Sequence, residues 1–244
     1  MSSNIVFGRN AIIELIKSER KIHQILISRA SKFDARMQDI IKFLEANNVQ
    51  FRYVDKKELD RRSKKETHQG ILAITQPRKY VEVEDILEEA KKLNEQPFIL
   101  ILDGIEDPHN FGSLIRSAVG AGVHGIIIPN KKQADISPTV IKSSAGAAEH
   151  ILIAKVSNTV QSAEYLKKQN IWIMGAHHYS ATDYTEVNYK DGLALVIGNE
   201  GSGISKLMLK TCDYSLKIPI SPKVESLNAS VAGALLLFQI KKSR

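Results

Sequence analysis

The clearest hydrophobic pattern of the chain lies near its middle. Residues 98–102 form an unbroken apolar run, which suits a parallel strand covered on both faces, although five such residues could also belong to a buried helix. Turn-forming residues follow, then apolar residues at helical spacing as far as Gly120 and Gly122, and then another apolar run at 125–128. The pattern predicts a right-handed strand–helix–strand unit, in which ligands bind at the carboxyl ends of the strands. We therefore expect Asn110 and Arg116 to lie at that edge.

The first third of the chain predicts a smaller unit of alternating helices and strands. Apolar residues recur at helical spacing over 8–17 and from Asp34 to Asn47, a charged helix is expected at 56–62, and strands are expected at 22–27, 49–54 and 71–75. We place a first domain at residues 1–75 and interpret it as a recognition module, because so small a unit leaves little room for catalytic machinery. A linker at 76–96, which contains a short helix, leads into a second domain at 97–244.

The second domain continues with further apolar runs. Strands are predicted at 151–154, 171–176 and 193–197, with a helix at 159–168 and another that begins near Pro138. The last helix begins after Asn228 and is apolar on every face, so we expect it to be buried all round. One face is expected to pack on the sheet and the other on a second subunit, which predicts a homodimer. The fold class is α/β, with a parallel sheet in the second domain.

The charge of the chain favours an anionic partner. Its 244 residues carry a formal net charge of +7, and residues 1–75 hold 15 Lys and Arg against 9 Asp and Glu. Such an excess of positive charge favours binding to anionic partners such as nucleic acid. Residues 56–65 contain a run of lysines and arginines, which is either a solvated helix and loop or an edge that contacts phosphates. The sequence leaves both interpretations open.

Several classes of protein are disfavoured. Cys212 is the only cysteine, so there is no intramolecular disulfide and no thiolate zinc cluster, which fits a reducing cytoplasm. The sequence has no leader pattern and no apolar run of the roughly 20 residues that a membrane helix needs, so we expect a cytoplasmic protein without membrane contact. His177 and His178 are adjacent rather than spaced to share a metal ion. We interpret them as ordinary surface or core residues, and we expect no metal.

A glycine-rich turn at 198–203 follows the strand at 193–197. Its glycine spacing matches neither the dinucleotide-binding fingerprint nor the phosphate-binding loop, which disfavours a nicotinamide enzyme. Glycines let a ligand lie against bare backbone, and Glu200 supplies a charge that a plain turn would not need. From this pattern alone, a ligand loop and a tight connection both stay open.

Three segments together carry a resemblance to a known family. Residues 110–116 (NFGSLIR), 197–203 (IGNEGSG) and 218–232 (IPISPKVESLNASVA) resemble, in this order, the three motifs of the SpoU, or TrmH-type, ribose 2′-O-methyltransferases. The resemblance covers about residues 97–244. The N-terminal unit is similar to the small ribosomal-protein-type RNA-binding domain that precedes this catalytic domain in the branch that methylates a guanosine ribose of 23S ribosomal RNA.

The resemblance implies both a topology and a cofactor. The C-terminal segment would thread through a loop as a trefoil knot, which no general rule of chain topology predicts. S-adenosyl-L-methionine would lie in the knot, where Gly198, Ile218 and Leu227 would contact it chiefly through backbone and apolar surface.

The resemblance also implies a set of catalytic residues: Asn110, Arg116, Glu200, Ser226 and Asn228. Arg116 would be the central residue, and one suggested role is that of base. A guanidinium is effectively always protonated, so we expect Arg116 instead to hold the target phosphate and to lower the pKa of the 2′-hydroxyl. The alternatives to a 23S rRNA enzyme are a tRNA ribose 2′-O-methyltransferase and a non-catalytic RNA-binding protein of ribosome assembly.

Overall fold

The structure, a computed structural model, describes residues 5–178 and 180–244. The chain forms two compact units. The first contains Met1–Lys79 together with Ile136–His150, and the second contains Tyr80–Asp135 together with Ile151–Arg244. The chain therefore passes from one unit to the other more than once, and each unit is described by itself.

A four-stranded sheet forms the centre of the first unit. Its N-terminal elements are β1 (Ile5–Phe7), α1 (Arg9–Lys17), β2 (Ile22–Ser28), α2 (Ala35–Ala46), β3 (Phe51–Val54), α3 (Lys56–Arg62) and β4 (Ile71–Thr75). The strand order is β1-β4-β2-β3, in which β2 and β3 are parallel and the other pairs antiparallel. Asp34 caps α2 by accepting a hydrogen bond from the backbone N–H of Met37. The helices and strands expected here are confirmed, whereas the three-residue strand β1 was not predicted.

One parallel sheet of seven strands forms the centre of the second unit. Its elements are α4 (Val83–Lys92), β5 (Phe98–Asp103), α5 (Pro108–Ala121), β6 (Gly125–Pro129), β7 (Leu152–Val156), α7 (Thr159–Lys168), β8 (Trp172–Ala176), β9 (Thr182–Asp183), β10 (Leu193–Gly198), α8 (Lys206–Thr211), β11 (Tyr214–Lys217) and α9 (Ala229–Ser243); α6 is Pro138–Ser143 of the first unit. The order is β7-β6-β5-β10-β8-β11-β9. The apolar runs at 98–102 and 193–197 form the central strands β5 and β10, which are covered on both faces as such runs require. The predicted parallel α/β sheet is confirmed.

The direction in which strands are added to the sheet changes between β5 and β10. From β5 the chain continues to β6 and β7 on one side, whereas from β10 it continues through α8 to β11 on the other side. β5 and β10 pair in parallel, with Asp103 opposite Gly198, so their carboxyl ends lie at the same edge. Ligands of open α/β sheets bind at such a switch point. The start of α5 and the glycine-rich turn at 198–203 both follow this edge.

The C-terminal helix α9 is buried on one side only. It packs against α5 and β10, most closely at Gly233, where a Cβ would lie 2.4 Å from Leu114 Cδ2. On its other side Val231, Leu235 and Phe238 are 48%, 43% and 48% exposed. The second unit therefore covers only one of its apolar faces, as expected for the sheet side, and the expected contact of the other face with a second subunit stays a prediction.

The segment Ile136–His150 packs in the first unit, although sequence-based boundaries placed it in the second domain. Its Glu149 carboxylate accepts from Arg20 Nη1 at 2.8 Å and lies 3.5 Å from Arg78 Nη1. Gly146 lies against α1, where a Cβ would come within 2.7 Å of Glu14 Cβ. The stretch expected as a linker contains the short helix expected there, α4, but Ile86 of this helix is fully buried in the core of the second unit, so the stretch is part of that unit.

Candidate active site

Three polar side chains from distant parts of the second unit meet in a closed triangle. Asn110 Nδ2 donates to Glu200 Oε2 at 3.0 Å, and Asn228 Nδ2 donates to Glu200 Oε1 at 2.8 Å. Asn228 Nδ2 also lies 3.0 Å from Asn110 Oδ1, which accepts from it. The carboxylate is thus held by two amide donors, and hydrogen bonds to an ionised acceptor are stronger than neutral ones. This polar cluster fixes Glu200 with respect to two helix starts.

Helix capping places both asparagines. Asp107 caps α5 by accepting from the backbone N–H groups of His109 and Asn110, and Pro108 occupies the first helical position. Asn228 is itself the cap of α9, since its Oδ1 accepts from the N–H of Ser230 at 2.9 Å. The Asn228 Oδ1 is therefore committed to the helix, and only its Nδ2 is directed to the cluster.

The glycine-rich turn that carries Glu200 is held by its own backbone and by Asn199. Asn199 Nδ2 donates to the carbonyl of Gly104 at 2.8 Å, and its Oδ1 accepts from the N–H of Gly201 at 2.9 Å. Asn199 and Gly203 also pair through both backbone groups. Gly198 is required by close approach, because a Cβ there would lie 2.2 Å from the backbone of Gly203. The turn is a fixed element rather than a loose connection.

A cavity of about 590 Å³ opens beside this turn, at the carboxyl ends of β8, β10 and β11. Backbone-rich loops and apolar side chains line it together with two carboxylates. The lining residues are Ala176, His177, His178, Ile197, Gly198, Asn199, Glu200, Gly201, Ser202, Gly203, Ile204, Leu216, Ile218, Ile220, Glu225, Ser226, Leu227, Ala229 and Ala232. Its size is within the range of small-molecule sites in proteins.

Most residues that the motifs indicated lie at this cavity. Gly198, Ile218 and Leu227 line it, as do Glu200 and Ser226. Asn110 and Asn228 adjoin it through their hydrogen bonds to Glu200. Arg116 is different: it is exposed on α5 and is not among the residues that line the cavity.

Two histidines that were not predicted as site residues also line the cavity. His177 and His178 follow β8 directly, and their ring centroids lie 5.3 Å apart at the cavity. Their position at the carboxyl end of a predicted strand was a usable signal, but they were interpreted as ordinary surface or core residues once a metal site was disfavoured. Within residues 5–178 and 180–244, no group of side chains suited to a metal ion is found, and no helix is long and apolar enough to cross a membrane.

The single cysteine is not a nucleophile of this site. Cys212 does not line the cavity, and its Sγ donates to the carbonyl of Met208. Burial raises the pKa of the Cys212 thiol to about 12, so the group stays protonated near neutral pH.

Comparison with known families identifies the class of protein. Residues 97–238 match the model of the SpoU rRNA Methylase family, and residues 5–81 match the model described as RNA 2′-O ribose methyltransferase substrate binding. The chain belongs to the SpoU rRNA methylase family and is an RNA methyltransferase of the SpoU/TrmH type.

Relatives and solved structures agree with this assignment over nearly the whole chain. A putative TrmH family tRNA/rRNA methyltransferase, YacO, of Bacillus subtilis is 39% identical, with 98% of this chain and 95% of the relative covered. A protein of the same description from Staphylococcus aureus is 36% identical, with 100% and 98% covered. The SpoU methyltransferase AviRb of Streptomyces viridochromogenes, solved in complex with AdoMet, matches with a TM-score of 0.79 at 20% identity, with 98% and 89% covered. This last similarity shows the shared fold.

Proposed function

We propose that this protein transfers a methyl group from S-adenosyl-L-methionine to a ribose 2′-hydroxyl of RNA, and that the target is a guanosine of 23S ribosomal RNA. The observation that carries the proposal is the triangle of Asn110, Glu200 and Asn228 beside the cavity lined by Gly198 and Leu227. The printed names of the relatives include both tRNA and rRNA, so a transfer RNA is the competing substrate.

The residues at the cavity fit S-adenosylmethionine, which supplies an electrophilic methyl group on a positively charged sulfur. Backbone groups of the turn at 198–203 offer hydrogen bonds to an adenine, while Ile218 and Leu227 offer apolar surface. Glu200 and Glu225 place negative charge at the cavity, and no lysine or arginine is among its lining residues within the described chain. This balance favours a cationic ligand.

The polar cluster would align the ribose. A 2′-hydroxyl is weakly acidic, and a carboxylate held by two amides can accept its hydrogen bond in a fixed direction. Ser226 lies at the same cavity and offers a further hydroxyl. The two amides of Asn110 and Asn228 prevent Glu200 from turning away from the site.

Arg116 is proposed to hold the phosphate next to the target ribose. Its side chain is exposed on α5 and is not part of the cavity lining, so it is available to the RNA backbone. A guanidinium presents a planar fork that binds phosphate through two hydrogen bonds, whereas a lysine binds as a point charge. This role requires arginine and not merely a positive charge.

The proposed dimer rests on the exposed face of α9. Val231, Leu235 and Phe238 follow one another at intervals of four and three residues, so they form one apolar stripe on the helix. Contiguous exposed apolar surface marks an interaction site, and a two-fold dimer uses the same patch on both copies.

The function can be tested with RNA from cells that lack this gene. The purified protein is incubated with radiolabelled S-adenosylmethionine and separated 23S rRNA, 16S rRNA or tRNA, and the methylated ribose is mapped. We expect label at one guanosine of 23S rRNA, and a strongly reduced rate with Arg116→Lys. Label in tRNA alone would contradict 23S rRNA as the substrate. A near-wild-type rate with Arg116→Lys would contradict the proposed role of Arg116 in holding a phosphate. Failure to bind S-adenosylmethionine in calorimetry would contradict the methyltransferase activity.

A further inference from the structure

The first unit exposes a large aromatic side chain to solvent. Phe33 lies between β2 and α2 and is 87% exposed, more than any other large hydrophobic side chain of the described residues. Burial of a phenylalanine side chain is strongly favourable. The packing of the first unit therefore gives no reason for a phenylalanine at this position, which points to a role in binding.

The position of Phe33 is set by two parallel strands. β2 and β3 pair with Ser28 opposite Val54, so their carboxyl ends lie at the same edge of the sheet. The loop after β2 carries Arg29, Lys32 and Phe33, and the segment after β3 begins with Asp55. Arg29 Nε lies 3.9 Å from Asp55 Oδ1, which brings the two segments together.

Phe33 is one end of a continuous surface. Lys32 Nζ lies 6.0 Å from the ring centroid of Phe33 and 5.6 Å from that of Tyr53. Tyr53 in turn meets Phe51 edge to face, with ring centroids 5.7 Å apart. Both rings on β3 are partly exposed, and β3 is the outer strand of its sheet. We call Phe33, Lys32, Tyr53 and Phe51 the aromatic strip.

Cations border the aromatic strip on the side of the strand ends. Arg29 and Asp55 are 72% and 83% exposed in their side chains, so their loose ion pair contributes little and leaves the guanidinium accessible. Lys56 and Lys57 follow on the first turn of α3 and are exposed. An aromatic surface edged by Arg and Lys has the composition that single-stranded nucleic acid requires, namely rings for bases and cations for the backbone.

We propose that the aromatic strip binds unpaired nucleotides of the RNA substrate, with a base stacked on Phe33 and neighbouring phosphates held by Arg29, Lys56 and Lys57. The inference deepens the proposed function, since it takes RNA as the substrate. A protein partner is disfavoured because the centres of protein interfaces are depleted in lysine, whereas Lys32 lies in the middle of this strip.

The first test compares single-stranded with double-stranded RNA. Binding of a labelled oligonucleotide of about 12 nucleotides, and of its duplex, to the full chain is measured by fluorescence anisotropy at fixed salt. We expect Phe33→Ala to weaken single-strand binding about 5- to 100-fold, which is the loss of one stacked base. Phe33→Trp retains a stacking surface and should bind within about threefold of wild type. The control Leu207→Ala, an exposed leucine on α8, should change nothing.

The second test observes the stacking itself. Trp172 is the only tryptophan, so Phe33→Trp combined with Trp172→Phe places a single indole in the aromatic strip. Single-stranded RNA should quench its fluorescence, and the duplex should not. The proposal is overturned if Phe33→Ala binds single-stranded RNA as wild type does, which is the result expected of a face for a protein or a second copy, or if the indole is not quenched.

Methyl transfer by the wild-type chain separates this inference from the proposed function. If the wild-type chain methylates RNA but RNA binding does not depend on Phe33, the proposed role of the aromatic strip is overturned and the proposed function is not. Phe33-dependent binding without any transfer supports the strip and overturns the methyltransferase activity.

Discussion

At the scale of single residues, Gly198 is required at the cavity because it has no Cβ. Its backbone is not in the left-handed region, so the requirement for glycine is steric: a Cβ would lie 2.2 Å from the backbone of both Gly203 and Ile204. Neither neighbour is the end of a flexible side chain, and the turn itself must therefore shift.

We expect Gly198→Ala to lower the free energy of unfolding by about 1–3 kcal/mol, as overpacking does, and to weaken S-adenosylmethionine binding. Gly201→Ala in the same turn is the matched control for stability, because its Cβ would meet only Asn199 Oδ1 at an ordinary 3.6 Å. Denaturant unfolding and calorimetric titration measure the two effects. Equal stability of the two variants would show that the turn is not held as tightly as its hydrogen bonds indicate.

The residues of the candidate site were predictable as one set only through the family motifs. Asn110 is 90 residues from Glu200 and 118 from Asn228, and nothing in local spacing links them. Taken alone, Asn110 and Asn228 are ordinary residues for a helix start, a function that Asn228 also performs. Their hydrogen bonds to Glu200 form only when the fold brings the starts of α5 and α9 to the turn after β10.

At the scale of elements, segments with a clear apolar pattern or start signal were predictable and those without one were not. The predicted bounds of α3, β4 and α7 agree with the structure, because each has a clear pattern over several residues. β1, α8 and β11, of three, six and four residues, were not predicted, whereas α6, as short as α8, was predicted because Pro138 marks its first turn. For α9 the pattern was clear, but it could not indicate which apolar face the second unit covers.

The exposed face of α9 leads to a prediction about assembly. Leu235→Glu places a charge in the middle of the apolar stripe, and a desolvated unpaired charge at an interface is costly, so we expect the variant to be a monomer. Leu207→Glu, on an exposed leucine of α8, should keep the wild-type mass. Sedimentation equilibrium measures both. A wild-type protein that is already monomeric at micromolar concentration would contradict the dimer.

At the scale of the whole molecule, the first unit includes residues 136–150, which are distant in sequence from the rest of that unit. Glu149 is 1% exposed in its side chain and pairs with Arg20, which is 129 residues away. Sequence reasoning could not place residues 136–150 there, because a long-range ion pair leaves no local pattern. The predicted trefoil knot likewise depends on how distant segments cross, and it stays a prediction.

The buried carboxylate of Glu149 should be important for the stability of the first unit. Glu149→Gln leaves the guanidinium of Arg20 without its charge partner, and breaking a buried pair costs about 3–5 kcal/mol. Glu14→Gln removes the partly exposed pairs with Lys17 and His150 and should cost about 1 kcal/mol or less. Hydrogen exchange of residues 136–150 reports the difference, and similar protection in both variants would contradict it.

The measurement that tests the account most directly is single-turnover methyl transfer to the mapped ribose by Glu200→Gln. The change keeps the shape of the side chain but removes the charge that Asn110 and Asn228 hold. We expect the rate at saturating S-adenosylmethionine to fall about 100-fold or more, as for loss of a positioned acid–base group, while the cofactor still binds, with its affinity lowered only by the loss of one of the two carboxylates at the cavity. Glu225→Gln, at the same cavity but outside the triangle, should stay near the wild-type rate. Wild-type transfer by Glu200→Gln would contradict the claim that this cluster aligns the ribose.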